Sequence, residues 1–166
     1  MAFILFIAFL IGIRITELVV SRQNEKWLRA NGAVEYGQNH YPFIVFLHVG
    51  FMLSLIIEYY LKPTQTINYL FLFVYLMLIG AKVMVISSLG KYWNTKIFHI
   101  SGHRLMRKGL YKYVKHPNYF IVICEIAVIP LIFNLYVTAT VFSVLNAIML
   151  NVRIREENKI LNSENE

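Results

Sequence analysis

Two polar stretches stand out in this chain of 166 residues: "HRLMRKGLYKYVKHPNY" (103–119) and "RIREENKIL" (153–161). The first interleaves two histidines and three tyrosines with lysines and arginines. Gly109 permits a turn, and Pro117 suits the first position of a helix. His116, directly before the proline, is driven out of the α region. An imidazole and backbone N–H groups therefore meet at a helix N-terminus, where negative charge is stabilised and a bound carboxylate would be welcome. In the second stretch Arg153, Glu157 and Leu161 fall at i, i+4 and i+8 and share one helix face. As an exposed pair, Arg153 and Glu157 would contribute only about 0.2–0.5 kcal/mol. Partial burial at a membrane surface would make both charges matter far more. A plainer role for the basic loop is to rest on anionic headgroups, at about 1 kcal/mol per cation. That explains its lysines and arginines but not its histidines, tyrosines, glycine and proline.

A second set of ionisable residues lies inside apolar sequence. Arg14 and Glu17, three apart on a helix, share a face. Lys82 sits two-thirds of the way through an apolar block, and Glu125 one turn into another. A charge at that depth needs a partner across helices, or must snorkel to the interface. Arg14, Glu17 and Glu58 lie near block ends and are expected to pair structurally, while Lys82 and Glu125 are open to either a structural or a functional part. The single Cys124 lies in an apolar run and excludes both a disulfide framework and a cysteine-built zinc site. No metal site is indicated.

The elements that must position these residues are read from composition. Hydrophobic residues make up 58% of the chain and charged residues 15%, with a mean hydropathy of +0.56. A soluble domain carries about 25% charged residues. Five apolar blocks follow: Met1–Val20, Tyr41–Leu61, Ile67–Leu89, Tyr119–Leu135 and Tyr136–Val152. The first lacks a cationic leader and cleavage site, so it reads as a retained helix. The first three are long enough to span a bilayer, for which about 20 residues suffice. The last two form a tight helical hairpin with Asn134 at its turn. The expected fold is an all-α integral membrane protein, one domain over 1–166. Its helices fall near 1–20, 41–61, 67–89, 119–135 and 136–162, with a loop at 90–118.

Charge placement sets an expected orientation. Lys91, Lys96, Arg104, Arg107, Lys108, Lys112 and Lys115 occupy residues 90–116 with no acid, matching the net charge of +7. Arg22, Lys26 and Arg29 follow the first block. The positive-inside rule puts both basic loops and the C-terminus in the cytoplasm and the N-terminus outside. Five crossings satisfy that assignment.

With these elements in place, "GLYKYVKHPNY" (109–119) resembles the G-x-Y-x-x-x-R-H-P-x-Y motif of the isoprenylcysteine carboxyl methyltransferases, integral-membrane enzymes that use S-adenosylmethionine. "RIREENKIL" resembles the same family's closing R-x-x-x-E-x-x-x-L segment, and the hairpin between has the family's length. The stretch 16–42 resembles a bacterial branch that methylates lipophilic alkylpyrones. The resemblance implies cofactor contacts at His103, Arg104, Leu105, Met106, Tyr111, His116, Pro117, Asn118, Tyr119 and Glu157. It also implies that Arg153 holds an acidic acceptor, with Arg153 and Glu157 as the catalytic pair. The chain departs from the motif at Lys115, where arginine is usual. It departs again at Lys96, where relatives acting on prenylcysteine carry a glutamine that contacts the cofactor.

The implied activity is methyl transfer from S-adenosylmethionine to a lipophilic acceptor, with O-methylation of an alkylpyrone enol foremost. Carboxyl methylation of an isoprenylcysteine and N-methylation of an aminolipid are the enzymatic alternatives, and a small lipid-binding scaffold the non-enzymatic one. The expected partners are a lipophilic small molecule from the bilayer and membrane lipids, not nucleic acid. The active site is expected on the cytoplasmic face.

Overall fold

A computed structural model describes residues 1–62, 66–100, 109–112, 114 and 116–163. Among these residues lie five α-helices: α1 (Ala2–Ala30), α2 (Tyr41–Leu61), α3 (Tyr69–Leu89), α4 (Pro117–Leu131) and α5 (Tyr136–Ser163). Helices α1, α2, α3 and α5 are long and apolar enough to cross a membrane. No more than 22% of the apolar stretch of any of the four is buried against the rest of the protein. Side chains such as Phe46, Phe73 and Ile148 are left exposed on these faces. An apolar surface of that extent requires lipid around it. The chain is therefore an all-α integral membrane protein.

Helix α1 continues ten residues past its apolar block, to Ala30. Hydrophobicity marks only the part of a helix that lies in hydrocarbon, whereas Ser21–Ala30 contains no proline or glycine to stop it. Helix α4 begins at Pro117, with the proline at its first turn, and ends at Leu131. The expected span of 119–135 is thus shifted toward the N-terminus. Its end is a Schellman motif: the Leu135 N–H donates to the Pro130 carbonyl (3.0 Å) and the Asn134 N–H to that of Leu131 (3.1 Å). Asn134 takes the left-handed conformation this requires, with φ of 57°. The turn expected there is present.

The core runs along the α1 side of the bundle. Phe3, Ile7 and Leu10 of α1 meet Phe51 and Leu55 of α2, Tyr75 of α3 and Ile126 and Ile129 of α4. Phe3 stacks on Tyr59, ring centroids 3.6 Å apart, and meets Phe133 edge-on. At the far end of the bundle, Glu58 accepts from the backbone N–H groups of Val137 (3.1 Å) and Thr138 (2.7 Å), satisfying the first turn of α5.

At the opposite end, the polar extension of α1 fastens the segment after α3. Asn24 donates to the carbonyls of Gly90 (3.1 Å) and Trp93 (2.7 Å), and Asn94 donates to the carbonyl of Ser21 (2.9 Å). Two short strands then pair antiparallel, β1 (Val34–Tyr36) with β2 (Ile97–His99), in the register Val34↔His99, Glu35↔Phe98, Tyr36↔Ile97. This small sheet sets the start of α2 beside β2 and the Arg153 turn of α5.

Candidate functional site

The two stretches that opened the sequence analysis meet at this end of the bundle. The Tyr119 hydroxyl accepts from Arg153 Nε (2.9 Å) and donates to Glu157 Oε2 (2.8 Å). The same carboxylate oxygen lies 3.5 Å from His116 Nδ1. The imidazole of His116 stacks on the Tyr119 ring, with centroids 5.1 Å apart and planes 9° from parallel. The Arg153 guanidinium lies over the same ring, 5.2 Å from its centroid. One tyrosine therefore carries a histidine, an arginine and a glutamate from two helices.

Local sequence explains each placement. Pro117 lacks an N–H and has a φ suited to a first helical turn, so α4 starts where the proline demands. His116, at its N-cap, makes no side-chain capping bond. The Tyr119 and Phe120 N–H groups turn back to the His116 carbonyl (3.2 and 3.3 Å), and the Asn118 N–H stands in the same first turn. Arg153 and Glu157, one turn apart on α5, both reach Tyr119 because α5 packs along α4. Tyr111 sits beside the small cluster of Val85, Trp93 and Ile121. Its phenol is pushed up to about 12, first by burial and then by the nearby Glu157 carboxylate, so it stays neutral. Of the residues singled out from sequence, Tyr111, His116, Pro117, Asn118, Tyr119, Arg153 and Glu157 thus fall in one region. His103, Arg104, Leu105 and Met106 lie outside the described residues.

Lys96 does not join this group. Its ammonium lies 3.1 Å from Glu25 and 3.3 Å from Glu35. Burial alone would lower its pKa, but these two carboxylates outweigh that and hold it above the usual lysine value. Glu35 also pairs with Arg29. The set ties α1, β1 and the residues before β2 together.

The ionisable residues at membrane depth form a separate cluster. Lys82 lies 2.8 Å from Glu17 and also pairs with Glu125, while Arg14 lies 2.7 Å from Glu17 and 3.3 Å from Glu125. Glu125 is 1% exposed and Lys82 5%, so each depends on the others. Both were open from sequence, and the geometry gives them a structural part in joining α1, α3 and α4. No group of three or more candidate metal ligands occurs among the described residues.

Between β1, the start of α2 and α5 runs a cleft lined by Gly37, His40, Tyr41, Ile44, Lys96 and Arg153, among others. His40 and Tyr41 carry no periodicity that would mark them in sequence. The one local cue was Gly37, whose φ of 66° lets the chain turn from β1 into α2.

A helical membrane bundle with a polar, histidine- and arginine-bearing cluster at one end defines the class: an all-α integral membrane protein. A model of the isoprenylcysteine carboxyl methyltransferase (ICMT) family matches residues 67–163. A Bacillus subtilis (strain 168) protein called "Uncharacterized protein YpbQ" is 45% identical over 162 residues, which is 96% of each chain. A Haemophilus influenzae (strain ATCC 51907 / DSM 11121 / KW20 / Rd) protein called "Uncharacterized protein" is 32% identical over 156 residues, 90% of this chain and 89% of its own. No solved structure matches. The chain belongs to the isoprenylcysteine carboxyl methyltransferase family, and so is a membrane methyltransferase.

Proposed function

We propose that the chain transfers the methyl group of S-adenosylmethionine to an ionised oxygen of a lipophilic acceptor, and that this acceptor is an alkylpyrone enol. The observation that carries the reading is the Tyr119 hydroxyl held between Arg153 and Glu157. A cation for an acidic acceptor and an anion for a cationic cofactor are thereby set side by side.

The donor set fits the cofactor. His116 and the Asn118 N–H at the start of α4 suit its carboxylate, because the end of a helix favours negative charge. Glu157 suits its ammonium or its ribose hydroxyls. Neutral Tyr111 beside Trp93 and Ile121 suits the adenine. Pro117 and Tyr119 fix the shape between them, and His103, Arg104, Leu105 and Met106 complete the set that the family motif assigns.

S-adenosylmethionine supplies an electrophilic methyl carbon on a sulfonium and leaves as a neutral thioether. The acceptor oxygen is already an anion, so its lone pair attacks and no proton moves. Arg153 then has to hold the oxygen in line, and positioning supplies most of the rate. Lys96 is engaged by Glu25 and Glu35, which supports a pyrone over a prenylcysteine, whose methyltransferases carry a cofactor-binding glutamine there. Arg22, Lys26, Arg29, Lys91 and Lys96 gather at the end that bears the site, which supports a cytoplasmic face for it and an outside N-terminus. The cofactor then enters from water and the acceptor from the bilayer.

Titration of purified protein with S-adenosylhomocysteine in detergent tests the donor, and labelled methyl transfer into a long-chain 4-hydroxy-2-pyrone tests the acceptor. Saturable binding that Glu157→Ala abolishes is the expected result. Equal binding by wild type and variant would overturn the site.

A further inference from the structure

Arg153 is shared between two surfaces. Its Nε is taken by Tyr119, on the side proposed for the cofactor. Its two terminal amino groups make no hydrogen bond among the described residues, and Arg153 also lines the cleft beside α2. We infer that the acceptor's anionic oxygen is met at the mouth of this narrow cleft, with His40 as a second recognition residue opposite Arg153. The inference rests on the methyl-transfer reading for its chemistry, and the cleft's own side chains carry it.

His40 is placed with care by the backbone. Gly37 takes a φ of 66°, and a Cβ there would lie 2.1 Å from His40 Cε1 and 2.9 Å from its Nε2. Only a glycine admits the imidazole at that spot. The ring makes no side-chain hydrogen bond among the described residues, so its polar atoms remain available. His40 stands at the start of α2, where a short 3-10 turn over Gln38–His40 leads into the helix.

The remaining charges of the cleft are already committed. Lys96 is held by Glu25 and Glu35, and Glu35 by Arg29 and Lys96. The Lys96 ammonium also lies over the Tyr41 ring, 5.6 Å from its centroid, fixing that wall. Among the residues lining the cleft, Arg153 and His40 are then the groups left to meet an anion, with the Glu156 carboxylate also near His40. Ile44, one turn further along α2, lines the same cleft, and α2 from there on is long and apolar enough to cross a membrane. The occupant is accordingly an amphiphile with a compact ionised head, an enolate or a carboxylate, and an alkyl tail that follows α2 into lipid.

Native mass spectrometry of the full chain released from detergent, without cofactor, tests the assignment. The probes are a long-chain 4-hydroxy-2-pyrone, a long-chain fatty acid, and the neutral methyl derivative of each. Wild type is expected to prefer an anion over its neutral derivative by about tenfold, the scale of one hydrogen bond to a charged group. His40→Ala and Gly37→Ala should each weaken that preference, Arg153 still being present, while S-adenosylhomocysteine affinity stays within about twofold of wild type. Should Gly37→Ala fail to fold, His40→Ala alone decides. No preference for either anion in wild type, or an unchanged preference in His40→Ala, would overturn the inference. Absence of S-adenosylhomocysteine binding in wild type would sink the proposed donor alone, because the anion measurement is made without it.

Discussion

The Tyr119 hydroxyl and the Glu157 carboxylate share a hydrogen bond of 2.8 Å although 38 positions separate them. That bond joins the start of α4 to the end of α5 and sets the distance between His116 and Arg153.

Tyr119→Phe keeps the ring that stacks on His116 and removes the oxygen that Arg153 and Glu157 share. A hydrogen bond to a charged group contributes about 1.5–3 kcal/mol. Turnover is expected to fall by about tenfold to a hundredfold, with little change in the melting temperature. Single-turnover methyl transfer beside a detergent melting curve checks both, and a large loss of stability would mean that the bond only braces the bundle.

Glu125→Leu leaves Lys82 and Arg14 buried against Glu17 alone. Removing one partner of a buried ion pair costs about 3–5 kcal/mol. The double variant Lys82→Met/Glu125→Leu should recover much of that, since well-packed apolar replacements of buried pairs are often neutral. Thermal unfolding of the three proteins in one detergent measures it. A double variant no more stable than Glu125→Leu would show that Lys82 is not the partner that matters.

Glu58→Ala removes the acceptor of the Val137 and Thr138 N–H groups at the start of α5. Lost capping of this kind costs about 1 kcal/mol. The melting temperature should drop modestly while cofactor affinity stays as in wild type, because Glu58 lies at the end of the bundle away from Tyr119. Glu58→Gln, which keeps one acceptor oxygen, should fall between.

Burial, with Glu157 nearby, raises the Tyr111 phenol to about 12. A group with a raised folded value contributes stability that is complete below its ordinary value, about 10 for tyrosine, and lost as pH climbs through the folded one. Tyr111→Phe should therefore leave the pH dependence of unfolding unchanged between about pH 7 and 10. It should flatten that dependence only above. A change confined to the neutral range would contradict a buried, neutral phenol.

Much of this molecule is legible in its sequence because hydrophobic length and proline are local signals. The apolar blocks mark α2 and α3 closely, His116–Pro117 marks the start of α4, and Asn134 marks the turn into α5. Arg153 and Glu157 declare a shared face by spacing alone. What sequence hides is non-local. Lys82 finds Glu17 and Glu125 in two other helices, and no neighbouring residue announces either partner. The three-residue strands β1 and β2 are too short to show alternation, and their pairing joins residues more than sixty positions apart. The cleft beside His40 exists only once that pairing is made.

The charges of Arg14, Glu17, Lys82 and Glu125 have a consequence for a protein in an energised membrane. Each elementary charge moved through 100 mV is worth about 2.3 kcal/mol. Two cations and two carboxylates sum to zero, so the transmembrane field exerts no net pull on the cluster. Helices α1, α3 and α4 can shift together through that field without electrical work. A chain stripped of one of the four charges would couple its packing to the membrane potential, and its fold would differ in stability between charged and discharged cells.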